Sequence, residues 1–149
     1  MEPKTIKALL DACYLAKRIR DLLPALPKGV TPAYIIYLDV IQTLQQQGKQ
    51  VKISDISDTL NLPRPGVTRT VKEMEAKGYL YKHASPSDGR ITYISATEAG
   101  KHLSSIYNEQ YFDYLAPRLK DISEEEANHA IQTIKKFYDV MSKEGGSVG

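Results

Sequence analysis

The stretch PGVTRTVKEMEAKGYL, residues 65–80, decides the fold of this 149-residue chain. Three apolar side chains recur in it at helical spacing, with polar residues between them: Val67, Val71 and Met74. This spacing predicts a helix over residues 65–77. Gly78 ends the helix, because glycine readily adopts the left-handed conformation found just after a helix.

The pattern then changes from a helical to a strand period. Residues 79–83 (YLYKH) and 91–95 (ITYIS) lack the helical spacing of apolar side chains and are predicted to be two strands. Between them, residues 85–90 form a polar loop that ends in Asp88-Gly89-Arg90. The sequence therefore predicts a hairpin directly after the helix.

A second, shorter helix precedes the decisive stretch. Ser54 is predicted to cap it, Ile56 and Leu60 to face inward, and Asn61 to end it. Residues 51–53 are predicted as a short β-like piece before it. The pair of helices joined by a turn is typical of a helix-turn-helix.

Helices are also predicted on both sides of this part. The signals are prolines and capping residues. Before the decisive stretch, they predict one helix that ends near Leu23 and a second that starts at Pro32, with Thr31 as its N-cap. After the hairpin, they predict one helix from Thr97 to about Leu119 and a last helix that follows a capping box at Ser123 and Glu126. Residues 145–149 are predicted to be a frayed tail. The predicted fold class is mainly α with a small β-hairpin, a winged helix-turn-helix with helices at both ends.

Composition excludes several classes. With 42% hydrophobic and 26% charged residues, the chain is neither disordered nor a disulfide scaffold. No apolar run is long enough to span a membrane, and the N-terminus does not resemble a secretory signal. A soluble cytoplasmic protein is expected. His83, His102 and His129 are scattered and the chain has one cysteine, so the sequence indicates no metal site, no cofactor and no enzyme.

Charge is unevenly distributed although the net charge is only +2. Residues 60–95 hold six Lys or Arg against three acids, and residues 1–31 hold the same numbers, whereas residues 113–144 hold five against seven. The helix over 65–77 and the hairpin thus carry positive charge. Such a helix fits the major groove of DNA, and the hairpin places Arg90 near the adjacent minor groove.

Residues 53–100 resemble the winged helix-turn-helix of the MarR family of bacterial transcriptional regulators. The motifs that carry the resemblance are Val67-Thr68-Arg69, the run from Met74 to Leu80, and Asp88-Gly89-Arg90 with Ile94, Thr97 and Gly100 at the family's spacing. Two departures are present. Pro63, Pro65 and Gly66 stand where relatives tend to carry Ser, Thr or Lys, and Ala96 replaces a larger apolar residue.

The resemblance implies one domain over residues 1–149, with residues 32–96 binding double-stranded DNA and residues 1–31 and 97–144 forming a homodimer. It implies DNA contacts from Ser54, Arg64, Thr68, Arg69, Lys72 and Arg90, with Asp88 orienting an arginine. The expected function is a ligand-responsive repressor on a pseudo-palindromic operator. A winged helix that binds only protein is the alternative from another class.

Two signals are considered for such a regulator. A small aromatic anion is one candidate, in a cleft lined by Lys17, Arg20, Tyr34, Tyr37, Tyr107 and Tyr111, although tyrosines at helical spacing are also explained as core. Peroxide sensing by Cys13 is the other. Cys13 lies in an apolar stripe, where burial favours an inert structural thiol.

Overall fold

The computed structural model describes residues 1–144, and the predicted tail over 145–149 lies outside the described residues. The chain forms two compact units, one of residues 1–108 and one beginning at Glu109. None of the helices in residues 1–144 is long and apolar enough to cross a membrane.

The first unit contains five helices, one hairpin and the start of an irregular segment. The helices are α1 (Pro3–Asp21), α2 (Pro32–Gln46), α3 (Ile53–Leu60), α4 (Arg64–Ala76) and α5 (Glu98–Ser104), and the strands are β1 (Leu80–Ala84) and β2 (Thr92–Ala96). The strands pair antiparallel, from Leu80 opposite Ala96 to Ala84 opposite Thr92. The predicted mainly helical fold with one small hairpin is confirmed.

The core of this unit forms around α2. Its side chains Tyr34, Leu38 and Ile41 are almost completely buried. They belong to one cluster with apolar residues of α3, α4, both strands and α5: Ile56, Val67, Val71, Met74, Leu80, Ile94 and Leu103. The three residues that predicted α4 are therefore the ones that anchor it, since each is at most 1% exposed.

Capping residues set most of the helix boundaries. Pro32 starts α2 and Thr31 stands at its N-cap, although the Thr31 side chain makes no capping bond. Gly78 follows α4 with φ of +80° and Asn61 follows α3 with φ of +52°. The Thr97 hydroxyl accepts a hydrogen bond from the Gly100 backbone N–H at 3.1 Å. These four boundaries were predicted from the sequence.

The start of α3 differs from the prediction. Lys52, not Ser54, occupies the N-cap, so that Ser54 lies inside the first turn. The Asp55 carboxylate accepts the Lys52 backbone N–H at 2.9 Å and thereby replaces the expected serine cap. Residues 51–53 are not a strand, because Ile53 already belongs to α3. Only Val51 contacts the sheet, through its carbonyl oxygen and the Ile94 N–H at 2.8 Å.

The segment predicted as one helix from Thr97 to about Leu119 is helical from residue 98 to residue 119, but it is not a uniform α-helix. After α5 the chain forms a π-helical segment (Ser105–Gln110), then α6 (Tyr111–Leu115) and a 3₁₀ turn (Ala116–Leu119). Asn108 turns inward in the π segment, where its side-chain amide donates to the Ser104 hydroxyl at 2.9 Å and to the Ile35 carbonyl at 3.3 Å. A wider turn accommodates that inward side chain.

The second unit contains α6, the 3₁₀ turn and α7 (Glu124–Glu144). The capping box predicted at the start of α7 is present. The Ser123 hydroxyl accepts the Glu126 N–H at 3.0 Å, and the Glu126 carboxylate accepts the Ser123 N–H at 3.3 Å. No residue of α7 is buried, and most of its large apolar side chains are exposed, among them Ile131, Ile134, Tyr138 and Met141.

Candidate nucleic-acid interface

Helix α4 presents a row of cations on the side away from the core. Pro63 at the N-cap is extended, with φ of −62° and ψ of 135°, and Pro65 lies in the first turn, where a missing N–H costs no helical hydrogen bond. Burial of Val67, Val71 and Met74 fixes which side faces the core. The remaining positions carry the predicted DNA-contacting residues Arg64, Thr68, Arg69 and Lys72.

These cations are available to a ligand. Arg64, Arg69 and Lys72 are exposed and Thr68 is half-buried. Within residues 1–144, no ion pair involves any of the three cations. An exposed cation without a carboxylate partner can bind a phosphate or a base edge without first breaking a bond inside the protein. The structure thus places all four residues on one short helix, and none of its three cations is paired with a carboxylate among residues 1–144.

The hairpin tip holds Arg90 in a defined conformation. Asp88 accepts three hydrogen bonds from it: from the backbone N–H at 3.0 Å, from Nε at 3.1 Å and from Nη2 at 3.2 Å. These bonds, first those of the guanidinium and then that of the backbone, hold the pKa of Asp88 below its usual value. The Arg90 side chain is still 91% exposed. Asp88 therefore orients Arg90 outward from the wing.

Ser54 has a carboxylate next to it, that of Asp55 in the same first turn. Asp55 is mostly buried and forms an ion pair with Lys49 at 3.0 Å. Burial opposes its ionisation, but the Lys52 N–H and the Lys49 ammonium outweigh burial and keep the pKa of Asp55 below its usual value. The first turn of α3 thus carries a fixed negative charge beside Ser54. A capping box is usually recognised by a serine or threonine at the N-cap and an acidic residue three positions later. Here the N-cap residue is Lys52, so the sequence does not show this pattern before Asp55.

The residues predicted to line an effector cleft have different surroundings. Lys17 and Arg20 are exposed on α1, whereas Tyr34 and Tyr37 are 1% and 4% exposed in the core. The Tyr34 hydroxyl already forms hydrogen bonds with two charged side chains, those of Glu73 and Lys77. Burial agrees with the alternative interpretation of these two tyrosines as core residues, and their role in binding stays a prediction.

The other two tyrosines of that set lie in separate units. Tyr107 is half-buried and donates to the Ala25 carbonyl at 3.2 Å. Tyr111 belongs to the second unit, where its ring stacks against Tyr114 with centroids 6.3 Å apart. Each tyrosine therefore already has partners inside its own unit.

Cys13 is half-buried on α1. No residue of α1 is fully buried, so the apolar stripe that contains Cys13 lies mostly exposed. Cys13 is thus less buried than its apolar stripe indicated, and its interpretation as an inert structural thiol stays a prediction. Among residues 1–144, no group of three or more His, Cys, Asp or Glu side chains is placed to hold a metal ion.

The comparisons with known proteins agree with this geometry. The model of the MarR family matches residues 28–91, which run from the turn before α2 to the start of β2. The resemblance to the MarR family is confirmed. The matched segment contains α3, α4 and the tip of the hairpin, and thus all seven residues of the predicted DNA-binding set, Ser54 and Asp88 included.

Two relatives come from Bacillus subtilis (strain 168). The HTH-type transcriptional regulator MhqR is 29% identical over 100 residues, covering 65% of this chain and 66% of its own. The uncharacterized HTH-type transcriptional regulator YdgJ is 26% identical over 95 residues, covering 64% of this chain and 58% of its own. The matched part thus spans less than two thirds of either relative.

A solved structure extends the likeness of fold to almost the whole chain. The crystal structure of Streptococcus pneumoniae FabT in complex with DNA is 18% identical and covers 97% of this chain and 100% of its own, with a TM-score of 0.68. At this identity the likeness shows the fold alone, a winged helix with additional helices at both ends.

Proposed function

We propose that this chain is a DNA-binding transcriptional regulator. The observation that carries the proposal is the row of uncompensated cations on α4 beside a wing whose arginine is held outward by Asp88. Two comparisons support the same proposal: both relatives are named as HTH-type transcriptional regulators, and the structural neighbour was solved in complex with DNA. A winged helix that binds only protein has no need of this charge arrangement.

In this proposal α4 enters the major groove. The groove is about 12 Å wide and accepts one helix, and an arginine that reaches a guanine contacts its O6 and N7 together. Arg64 and Arg69 are the side chains of α4 with that geometry, and Thr68 lies between them. Lys72 is one turn further along and contacts phosphate as a point charge.

The wing contacts the neighbouring minor groove through Arg90. Narrow minor grooves concentrate negative potential, which attracts an arginine without reading individual bases. Ser54 and the first turn of α3 approach a phosphate, where backbone N–H groups at a helix start are suitable donors. Asp55 lowers the attraction of that turn for an anion, so Ser54 contributes less than the residues of α4.

We further propose a homodimer that acts as a repressor. Apolar side chains are exposed along α1, including Ile6, Leu10 and Tyr14, and along α7, including Ile134 and Tyr138. Exposed stripes of this kind mark an interface, and a second copy of the chain is the proposed partner. A two-fold dimer requires half-sites about one helical turn apart, roughly 10 bp. Occupying such an operator blocks transcription.

The proposed signal is a small aromatic anion. Lys17 and Arg20 are exposed, three residues apart on α1, and without an ion-pair partner among residues 1–144. Cations at this spacing share one helix face and suit a carboxylate. Adding benzoate to a preformed complex is expected to release DNA from the wild type and not from a Lys17→Ala/Arg20→Ala variant.

Fluorescence anisotropy tests DNA binding. A labelled duplex from the region upstream of the coding sequence and a scrambled duplex of equal length are titrated at about 50 mM and about 200 mM salt. We expect tighter binding to the upstream duplex, a steep loss with salt, and saturation at two chains per duplex. Arg69→Ala should weaken binding to the upstream duplex more than to the scrambled one, and Arg90→Ala should weaken both.

Lys135→Ala is the matched control for these variants, since it removes one exposed positive charge from α7. Its affinities should equal those of the wild type. Absence of binding to either duplex at the lower salt concentration would contradict the proposal and favour the protein-binding alternative.

Light scattering after size exclusion tests the homodimer. Ile134→Asp places a charge in the exposed apolar stripe of α7 and should reduce the mass to one chain. Lys136→Asp places the same charge on the opposite side of the helix, 200° away at 100° per residue, and should keep two chains. A wild-type mass of one chain at micromolar concentration would contradict the dimer.

A further inference from the structure

Four polar groups meet at the end of α4 that lies away from Arg64. The Lys77 ammonium donates to the Gly29 carbonyl oxygen at 2.6 Å and to the Tyr34 hydroxyl at 3.0 Å. The Tyr34 hydroxyl in turn donates to the Glu73 carboxylate at 3.1 Å. The chain of bonds therefore runs in one direction, from ammonium through hydroxyl to carboxylate, and it is tied to a backbone carbonyl.

Two members of this network, Tyr34 and the Gly29 carbonyl, are held in place by contacts outside the network. Tyr34 is 1% exposed in the core, so its ring cannot move. Gly29 has φ of +82°, a conformation that glycine adopts without strain, and the Pro27 carbonyl closes the same turn by accepting the Val30 N–H at 3.0 Å. The turn thus presents the Gly29 carbonyl towards Lys77.

The Lys77 ammonium is further stabilised in its charged form. It lies 5.1 Å from the centroid of the Tyr34 ring, within range of a cation–π contact. The hydrogen bond to Tyr34 raises the pKa of Lys77 above its usual value, and the negative end of the α4 dipole acts in the same direction. Lys77 therefore stays a donor over the whole physiological pH range.

The network joins two parts of the first unit that are distant in sequence. Lys77 is the C-cap of α4 and Glu73 lies one turn earlier, whereas Gly29 belongs to the turn between α1 and α2. The apolar anchors Val67, Val71 and Met74 hold α4 on the core, but apolar contacts are non-directional and allow small rotations about the helix axis. Hydrogen bonds to a fixed carbonyl and a fixed ring define that rotation.

We infer that Lys77 is a positioning residue, which sets the orientation of α4 against the α1–α2 turn and thereby the ability of α4 to distinguish its operator from other DNA. It acts without touching DNA. The inference rests on the proposed DNA-binding function. It goes beyond that function because it assigns specificity to a side chain at the end of α4 remote from Arg64.

The test compares Lys77→Met, Lys77→Arg and Tyr34→Phe with the wild type. A preferred duplex is first selected from a randomised pool with the wild-type protein, and affinities for it and for a scrambled duplex are measured at several salt concentrations. Lys77→Met is expected to lower the ratio of the two affinities about 3–30-fold, the range of coupling through a packed network. The salt slope on the scrambled duplex stays unchanged, and Lys77→Arg recovers most of the ratio.

Tyr34→Phe removes only an oxygen atom and no charge. It should lower the same ratio, and the double variant Lys77→Met/Tyr34→Phe should be no worse than the worse single variant, because both substitutions break one network. If Lys77→Met fails to fold, Tyr34→Phe alone decides the question. A purely structural role would lower the melting temperature of both variants and leave the affinity ratio unchanged.

Three results would overturn the inference. A salt slope reduced by about 1 in Lys77→Met would mean that Lys77 contacts a phosphate. Unchanged affinity ratios in both variants would mean that the network does not position α4. If the wild type selects no duplex at all, the proposed DNA-binding function fails as well. The wild-type titration alone separates this outcome from a failure of the inference about Lys77.

Discussion

Replacing Gly100 by alanine should destabilise the protein although alanine is the better helix former. A Cβ at this position would collide with the Tyr79 carbonyl oxygen and lie 3.1 Å from the Tyr79 carbonyl carbon and 3.2 Å from Leu38 Cδ2. A backbone carbonyl cannot rotate away as a side chain can. The start of α5 must therefore move, and this movement stretches the 3.1 Å bond from the Thr97 N–H to the same carbonyl.

The size of the effect follows from three terms. Overpacking costs about 1–3 kcal/mol. The weakened hydrogen bond adds up to about 1 kcal/mol. The higher helix propensity of alanine returns about 1 kcal/mol. The middle values of these terms give a net destabilisation of about 1.5 kcal/mol, with an upper limit of about 3 kcal/mol. For a chain of this size each kcal/mol lowers the melting temperature by about 2–4 °C.

Urea unfolding, followed by far-UV circular dichroism, measures the free energy of unfolding of each variant. All variants are measured at one protein concentration, because the stability of a dimer depends on concentration. Gly66→Ala is the matched control, since Gly66 also lies in a helix and a Cβ there has no heavy atom within 4 Å. It should be neutral or stabilising by up to about 1 kcal/mol. A Gly100→Ala protein as stable as the wild type would refute the reasoning.

Three further substitutions test other contacts by the same measurement. Asp55→Asn should cost about 1–2 kcal/mol at pH 7. Since the pKa of Asp55 in the fold is below its usual 3.8, the difference from wild type should shrink as the pH falls below that value. Thr97→Ala should cost about 1–2 kcal/mol by removing the cap of α5, and Thr97→Ser should restore most of it; equal loss in both would refute the capping role. Met74→Ala, at a fully buried position, should cost about 2–5 kcal/mol, and a loss below 1 kcal/mol would mean that this part of the core collapses around the gap.

Local signals in the sequence located most of the first unit. Pro32 and Gly78 begin or end helices through their own backbone preferences, and Thr97 begins one through its hydroxyl, so their effect does not depend on distant residues. The strands were predicted at 79–83 and 91–95 and lie one residue later. A shift of this size is expected, because alternation fixes the faces of a strand better than its ends.

The signals failed where contacts between distant residues decide. The π segment depends on Asn108 reaching the carbonyl of Ile35, 73 residues away, and nothing in its own composition indicates it. The N-cap of α3 is a lysine, and the Asp55 carboxylate accepts its backbone N–H. A search for a serine or threonine at the N-cap misses this arrangement. Lys77 has the pattern of a solvated helix face, and only the fold brings Gly29 to it.

The candidate interface was predictable in a similar, limited way. Periodicity identified which side of α4 is buried and hence which cations are exposed. The Asp88–Arg90 contact was also predictable, because both residues lie in one short loop. Which DNA these side chains bind stays a prediction, since base recognition depends on a partner that the sequence does not contain.

The bond between Asp88 and Arg90 also affects the entropy of recognition. A free arginine samples many rotamers, and a ligand must restrict them when it binds. At the wing tip this ordering has already taken place during folding, although the side chain remains exposed. A wing of this kind approaches its partner as a rigid probe rather than a flexible one, so a poorly shaped groove is rejected early, by sterics, before any base is read.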